Sequence, residues 1–128
     1  MTIRECLPPL TRAGISQPDA EALRRIAMTL HRWHELECGS EYGRVERDET
    51  TDKPYWLSAL SGKRNGTVPD RETAAKKRLA AIMARYPDLR AYIQGDPRGA
   101  SLYILRPGDV PEGEAVDSYY SRGLAVYK

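Results

Sequence analysis

The sequence predicts an α+β fold, with two amphipathic helices packed on one face of a small antiparallel sheet of about five strands. Three observations carry that expectation. Apolar residues recur at helical spacing in two segments, near residues 20–33 and 75–86. The period then changes to two in 89–94 and 100–105. Between those two runs lies Asp96-Pro97-Arg98-Gly99, which reads as a hairpin turn.

The first helix is expected over 16–38. Ser16 can accept hydrogen bonds from the first-turn N–H groups, Pro18 needs no donor there, and Asp19 suits the positive end of the dipole. Its apolar positions are Ala20, Leu23, Ile26, Ala27, Leu30 and Trp33, and Gly39 is a natural stop. Short strands are expected at 43–48 and 54–60, followed by a basic loop, Gly62-Lys63-Arg64-Asn65-Gly66. The second helix should begin near Thr67–Asp70, with Pro69 in its first turn. It should end at Tyr86, because Pro87 disfavours helix in the residue before it. Its inner stripe is Ala75, Leu79, Ile82, Met83 and Tyr86. Residues 106–117 hold Pro107, Gly108, Pro111 and Gly113 and read as a loop, and Leu124–Lys128 as a last strand.

Length and composition narrow the function classes. A chain of 128 residues is read as a single domain, 1–128, large enough for its own core. Hydrophobic content of 41% with 30% charged residues is globular. Twenty basic residues against 18 acidic leave a net charge of only +2, so any nucleic-acid reading must rest on where the charges sit. No apolar run approaches the roughly 18 residues that span a bilayer. MTIRECLPPL lacks the form of a secretory signal, so a cytoplasmic location with no membrane partner is expected. Two cysteines, Cys6 and Cys38, are too few for a disulfide scaffold and are read as thiols.

Several constellations could carry chemistry. His31, His34 and Cys38 stand at i, i+3 and i+7 on one side of the first helix, with Cys6 as a conceivable fourth zinc ligand. The stretch His31-Arg32-Trp33-His34-Glu35 is neither HExxH nor HxxEH, so a core histidine and a buried thiol are the expectation, with no metal and no cofactor. No nucleophile elbow or Cys–His signature is present, so no catalytic residue is assigned. Ala13-Gly14-Ile15-Ser16 looks like a helix-turn-helix turn, but Pro8 and Pro9 leave no room for the helix before it.

Two surfaces remain. Arg71, Arg78 and Arg85 stand at heptad spacing on the second helix, and Lys63 and Arg64 could extend that row. Such a row can track phosphates, releasing a counterion at each. Against that stands the commoner case of a solvated helix face. Tyr92, Tyr103 and Tyr127 share strand parity and, if the registers agree, line the sheet face away from the helices. Exposed aromatic faces stack unpaired bases or anchor protein interfaces. Cross-strand pairing within the sheet is the plainer explanation.

Three blocks, LHRWHELECG with RVERDE, PDRETAAKKRLAAIMARYP, and DPRGASLYI…YSRGLAVY, resemble a family of small uncharacterised proteins encoded by phages and prophages. The resemblance covers most of the chain from Leu30 onward. It implies a small accessory protein of a mobile element, acting in a bacterial cytoplasm, and brings no catalytic or binding residue with it. The leading expectation is a non-enzymatic binding module for a macromolecule, with nucleic acid held by the arginine row. The alternative is a protein-binding modulator or inhibitor of a host complex that uses the tyrosine face. An enzyme of unrecognised type is the third reading.

Overall fold

The computed structural model describes residues 10–96, 99–105 and 124–127. Its fold is α+β, as the change of period requires. A 3-10 turn at Leu10–Ala13 leads into helix α1, Gln17–Cys38. Strands β1 (Gly43–Arg47), β2 (Pro54–Ser58) and β3 (Arg64–Thr67) follow, then helix α2, Arg71–Met83. Strands β4 (Arg90–Asp96), β5 (Gly99–Leu105) and β6 (Leu124–Tyr127) complete the described chain. The six strands form two antiparallel sheets, ordered β1-β2-β3 and β4-β5-β6, in place of one sheet of about five.

Helix α1 is the hub. It packs on α2, β1, β5 and β6. Ser16 caps it, accepting from Asp19 N–H at 3.4 Å, and Pro18 lies in the first turn. Every residue of its expected apolar stripe is buried, from Ala20 to Trp33. The core joins that stripe, from Ala20 to Leu30, to Leu10, Ile15, Ala75, Leu79, Ile82, Leu102 and Ile104.

Helix α2 starts and stops inside its expected bounds. Asp70 caps it, accepting from Thr73 N–H at 3.1 Å and from the Thr73 hydroxyl at 2.8 Å. Ahead of Pro87 the chain tightens into i→i−3 bonds, Arg85 N–H to Ile82 O and Tyr86 N–H to Met83 O. Regular helix therefore closes at Met83, and Tyr86 still packs against the core. The two helices run antiparallel. At one end Tyr86 Oη donates to Asp19 at 2.5 Å and Arg85 pairs with Asp19 at 2.6 Å. At the other, Glu37 near the end of α1 meets Glu72 in the first turn of α2.

The basic loop expected at 62–66 is in part strand. β3 pairs with β2 along an irregular register, Tyr55↔Thr67 and Leu57↔Arg64. Gly66, at φ +79°, supplies the left-handed residue such an irregularity needs. The β4–β5 hairpin is regular from Arg90↔Leu105 to Asp96↔Gly99. Its turn residues, Pro97 and Arg98, lie outside the described residues, as do Cys6 and the expected 106–117 loop. No described helix is long and apolar enough to cross a membrane.

Candidate functional site

The alternation of β1 and β2 gives the first sheet two different faces. Val45 pairs with Trp56, so both stand on the side of the helices, as does Arg47 two residues on. Tyr55 stands on the opposite face. There it donates to Glu46 at 3.1 Å and lies under the guanidinium of Arg64, 4.1 Å from ring centroid to Cζ. Arg64 also pairs with Asp48 at 2.6 Å. Asp48 accepts from Thr50 and Thr51 N–H as well, and Arg64 foremost holds its carboxyl well below the usual range. That face is a closed polar network.

On the helix side, Arg47 ties the sheet to both helices. It forks onto Asp70 at 2.8 and 2.9 Å, reaches Glu72 at 3.1 Å and Asp52 O at 2.8 Å, and lies 5.6 Å over the Trp33 ring. The hydrogen bonds from Arg47 hold the Asp70 carboxyl far below its ordinary value. Glu37 moves the other way. Partial burial first, then the charge of Glu72 and a hydrogen bond to it, raise its carboxyl, while Arg47 and His34 oppose the shift. Arg47 thus neutralises an acidic cluster at the α1–α2 junction, beneath Trp33.

Above that junction lies a cavity of about 710 Å³. Its walls are Trp33, Leu36 and Thr29 of α1, the Gly39–Gly43 turn, Trp56 of β2, and two arginines, Arg32 and Arg71. Both tryptophans of the chain are here. Trp56 is partly exposed, and its ring rests against the backbone of Gly43. Leu36 is 41% exposed. Trp33 is 2% exposed, and its Nε1–H has no acceptor among the described residues. Glu35 also lines the cavity, and His31 Nε2 lies 2.7 Å from its carboxylate.

The five basic residues expected to form one row separate into two groups. Arg71 and Arg78 are exposed and have no ion-pair partner among the described residues, and Lys63 is exposed in the turn before β3. Arg64 is spent on Asp48 and Tyr55, on the face opposite Trp56, so it does not extend the row. Arg85 is spent on Asp19. In compensation, α1 supplies arginines the sequence reading passed over. Arg25 and Arg32 are exposed and, like Arg71 and Arg78, stand one heptad apart on a single line of their helix. Arg32 and Arg71 meet at the cavity. Because the helices run antiparallel, Arg25 and Arg78 continue away from it together, about 10.5 Å further on. The spacing of Arg25 and Arg32 was the available signal. Trp56 gave none, since period-two alternation does not say which face of a strand is covered.

Of the expected tyrosine face, Tyr92 and Tyr103 are direct cross-strand partners, yet Tyr103 is only 5% exposed, so it offers no open surface. The β5–β6 register shifts between Leu102 and Tyr103, pairing Tyr127 with Leu102 and Tyr103 with Ala125 along the backbone; the side chain of Tyr127 lies outside the described residues.

The histidine and cysteine set disperses as well. His31 places Nε2 on Glu35 and Nδ1 3.2 Å from Ala100 N. His34 Nε2 lies 3.4 Å from Cys38 Sγ, and Cys38 is exposed, not the buried thiol expected. No group of three or more metal-ligating side chains forms among the described residues. Comparison with protein-family models, curated proteins and solved structures finds no match for this chain.

Proposed function

We propose that this protein is a non-enzymatic accessory module that binds nucleic acid through the paired arginines of α1 and α2. One observation carries the reading. Arg25, Arg32, Arg71 and Arg78 are all exposed, and all lack an ion-pair partner among the described residues. Two of them, one from each helix, converge on one cavity. Net charge is near balance, and Arg44, Arg47, Arg64 and Arg85 are each paired with a carboxylate, so Arg32 and Arg71 bring cations without an ion-pair partner among the described residues together at the cavity. Arginine suits phosphate because its planar fork donates two parallel hydrogen bonds. The mobile-element resemblance from Leu30 onward is compatible with such a role.

Fluorescence anisotropy with a labelled oligonucleotide at low salt tests the proposal. Arg71→Gln combined with Arg78→Gln should weaken binding roughly ten-fold, with little dependence on sequence. Arg64→Gln, on the opposite face, should leave it unchanged. No binding by the wild-type protein, or equal losses in both variants, would overturn the proposal.

A further inference from the structure

The arginines account for phosphates, but not for the cavity between them. Its volume, about 710 Å³, is of the size that holds a small planar group with room to spare. Trp33, Trp56 and Leu36 give it apolar wall, Thr29 and Ser40 add hydroxyls, and its charged lining is Arg32 and Arg71 against the single carboxylate of Glu35, which His31 engages. That combination complements a ligand that is flat and apolar in its middle and anionic at its ends. Inorganic phosphate has no flat part, and a paired base inside a duplex has no free face.

We propose that the cavity receives one unpaired base of a single-stranded nucleic acid, stacked on Trp56, with the flanking phosphates on Arg32 and Arg71. The proposal rests on the nucleic-acid reading above and narrows it to single strands. Trp56 suits the role because it is partly exposed and Gly43 backs its ring. A Cβ at Gly43 would come within 2.9 Å of Trp56 Cζ2, so the backbone lies flush against the ring. Leu36, unusually exposed for a leucine at 41%, offers an apolar wall for the same base. Trp33, 2% exposed, lines the cavity as a second aromatic side chain.

Intrinsic fluorescence reads this site directly, because the chain has only two tryptophans and both line the cavity. A short oligothymidylate should quench the emission and bind about ten-fold more tightly than a duplex of the same length. Trp56→Ala should remove most of that preference, a loss of roughly ten-fold for the single strand, with duplex affinity unchanged. Since Trp56 pairs with Val45 and its truncation could loosen the sheet, Leu36→Glu provides a second variant at an exposed position. It should repel the strand without touching the core. Thymidine monophosphate should bind far more weakly than the oligomer. Equal affinity for single strand and duplex, with no effect of either variant, would overturn this inference and leave the nucleic-acid reading standing. Mononucleotide binding as tight as that of the oligomer would also overturn it, in favour of a free-nucleotide pocket. Failure of every nucleic acid to bind at low salt would instead remove the reading on which it rests.

Discussion

Gly43 opens β1 with φ at +145°, and there is no space beside its Cα. A Cβ there would collide with the carbonyl oxygen of Leu57 and press the Trp56 ring at 2.9 Å. Backbone is the obstacle on one side and a wall of the cavity on the other, so neither can yield cheaply. Gly43→Ala should therefore cost roughly 2–3 kcal/mol, from positive-φ strain plus overpacking. Gly66 makes a useful contrast. It too has positive φ, +79°, but nothing lies within 4 Å of its would-be Cβ. Gly66→Ala should cost only about 1 kcal/mol, the conformational part alone. Chemical denaturation of the two variants separates these cases, and equal losses would mean that Gly43 does not support Trp56. Neither requirement can be read from the sequence. A glycine before a strand resembles any other turn glycine until the partner strand supplies Leu57 and Trp56.

The α1–α2 junction sets two carboxylates against each other through one arginine. Asp70 is held low by Arg47, so its contribution to stability is present at neutral pH and fades as pH falls below about 4. Asp70→Asn keeps a capping side chain but removes the charge Arg47 forks onto. It should cost about 1 kcal/mol at pH 7 once solvent screening is allowed for, and less in acid. Glu37 is raised, so its contribution has the opposite sign. It is present while the carboxyl is protonated and is lost as pH rises through the elevated value. Glu37→Gln should raise the melting temperature at pH 7 to 8, with the gain vanishing below about pH 4. A gain that persists in acid would show that the effect is not the proton on Glu37. The elements that meet here were legible in the sequence. Ser16 and Pro18 announced the start of α1, the stripe from Ala20 to Trp33 its buried face, and Pro87 the limit of α2. What was not legible is how the strands divide. Short strands of similar composition do not declare which neighbour they pair with, and a partition into two sheets depends on long-range pairings such as Tyr103↔Ala125.

Across the whole molecule, the candidate site was only half visible in advance. Arg71 and Arg78 were marked by heptad spacing, whereas Arg85 carried the same signal and Arg64 was read as an extension of that row, and both are paired internally. Charge pattern locates a helix face, but only the fold shows which cations already have partners. Tyr103 failed for a related reason, since strand parity assigns a side and not an exposure. The four free arginines make a quantitative test of the molecule as a whole. Each phosphate contact contributes about 0.9 to the log–log salt slope on a duplex and about 0.7 on a single strand. If all four engage, changing Arg25, Arg32, Arg71 and Arg78 to Gln should reduce the slope by roughly three units on a single strand. None of the four is buried, so thermal unfolding should remain cooperative and near the wild-type midpoint. The variant takes the formal net charge from +2 to −2, and that change alone would weaken any anion binding. A second variant therefore removes four other exposed cations, Arg24, Lys53, Lys77 and Arg90, for the same net charge. Local contacts demand that the slope fall in the first variant and hold in the second. If both fall together, the attraction belongs to overall charge, and the paired arginines of α1 and α2 have no special part in it.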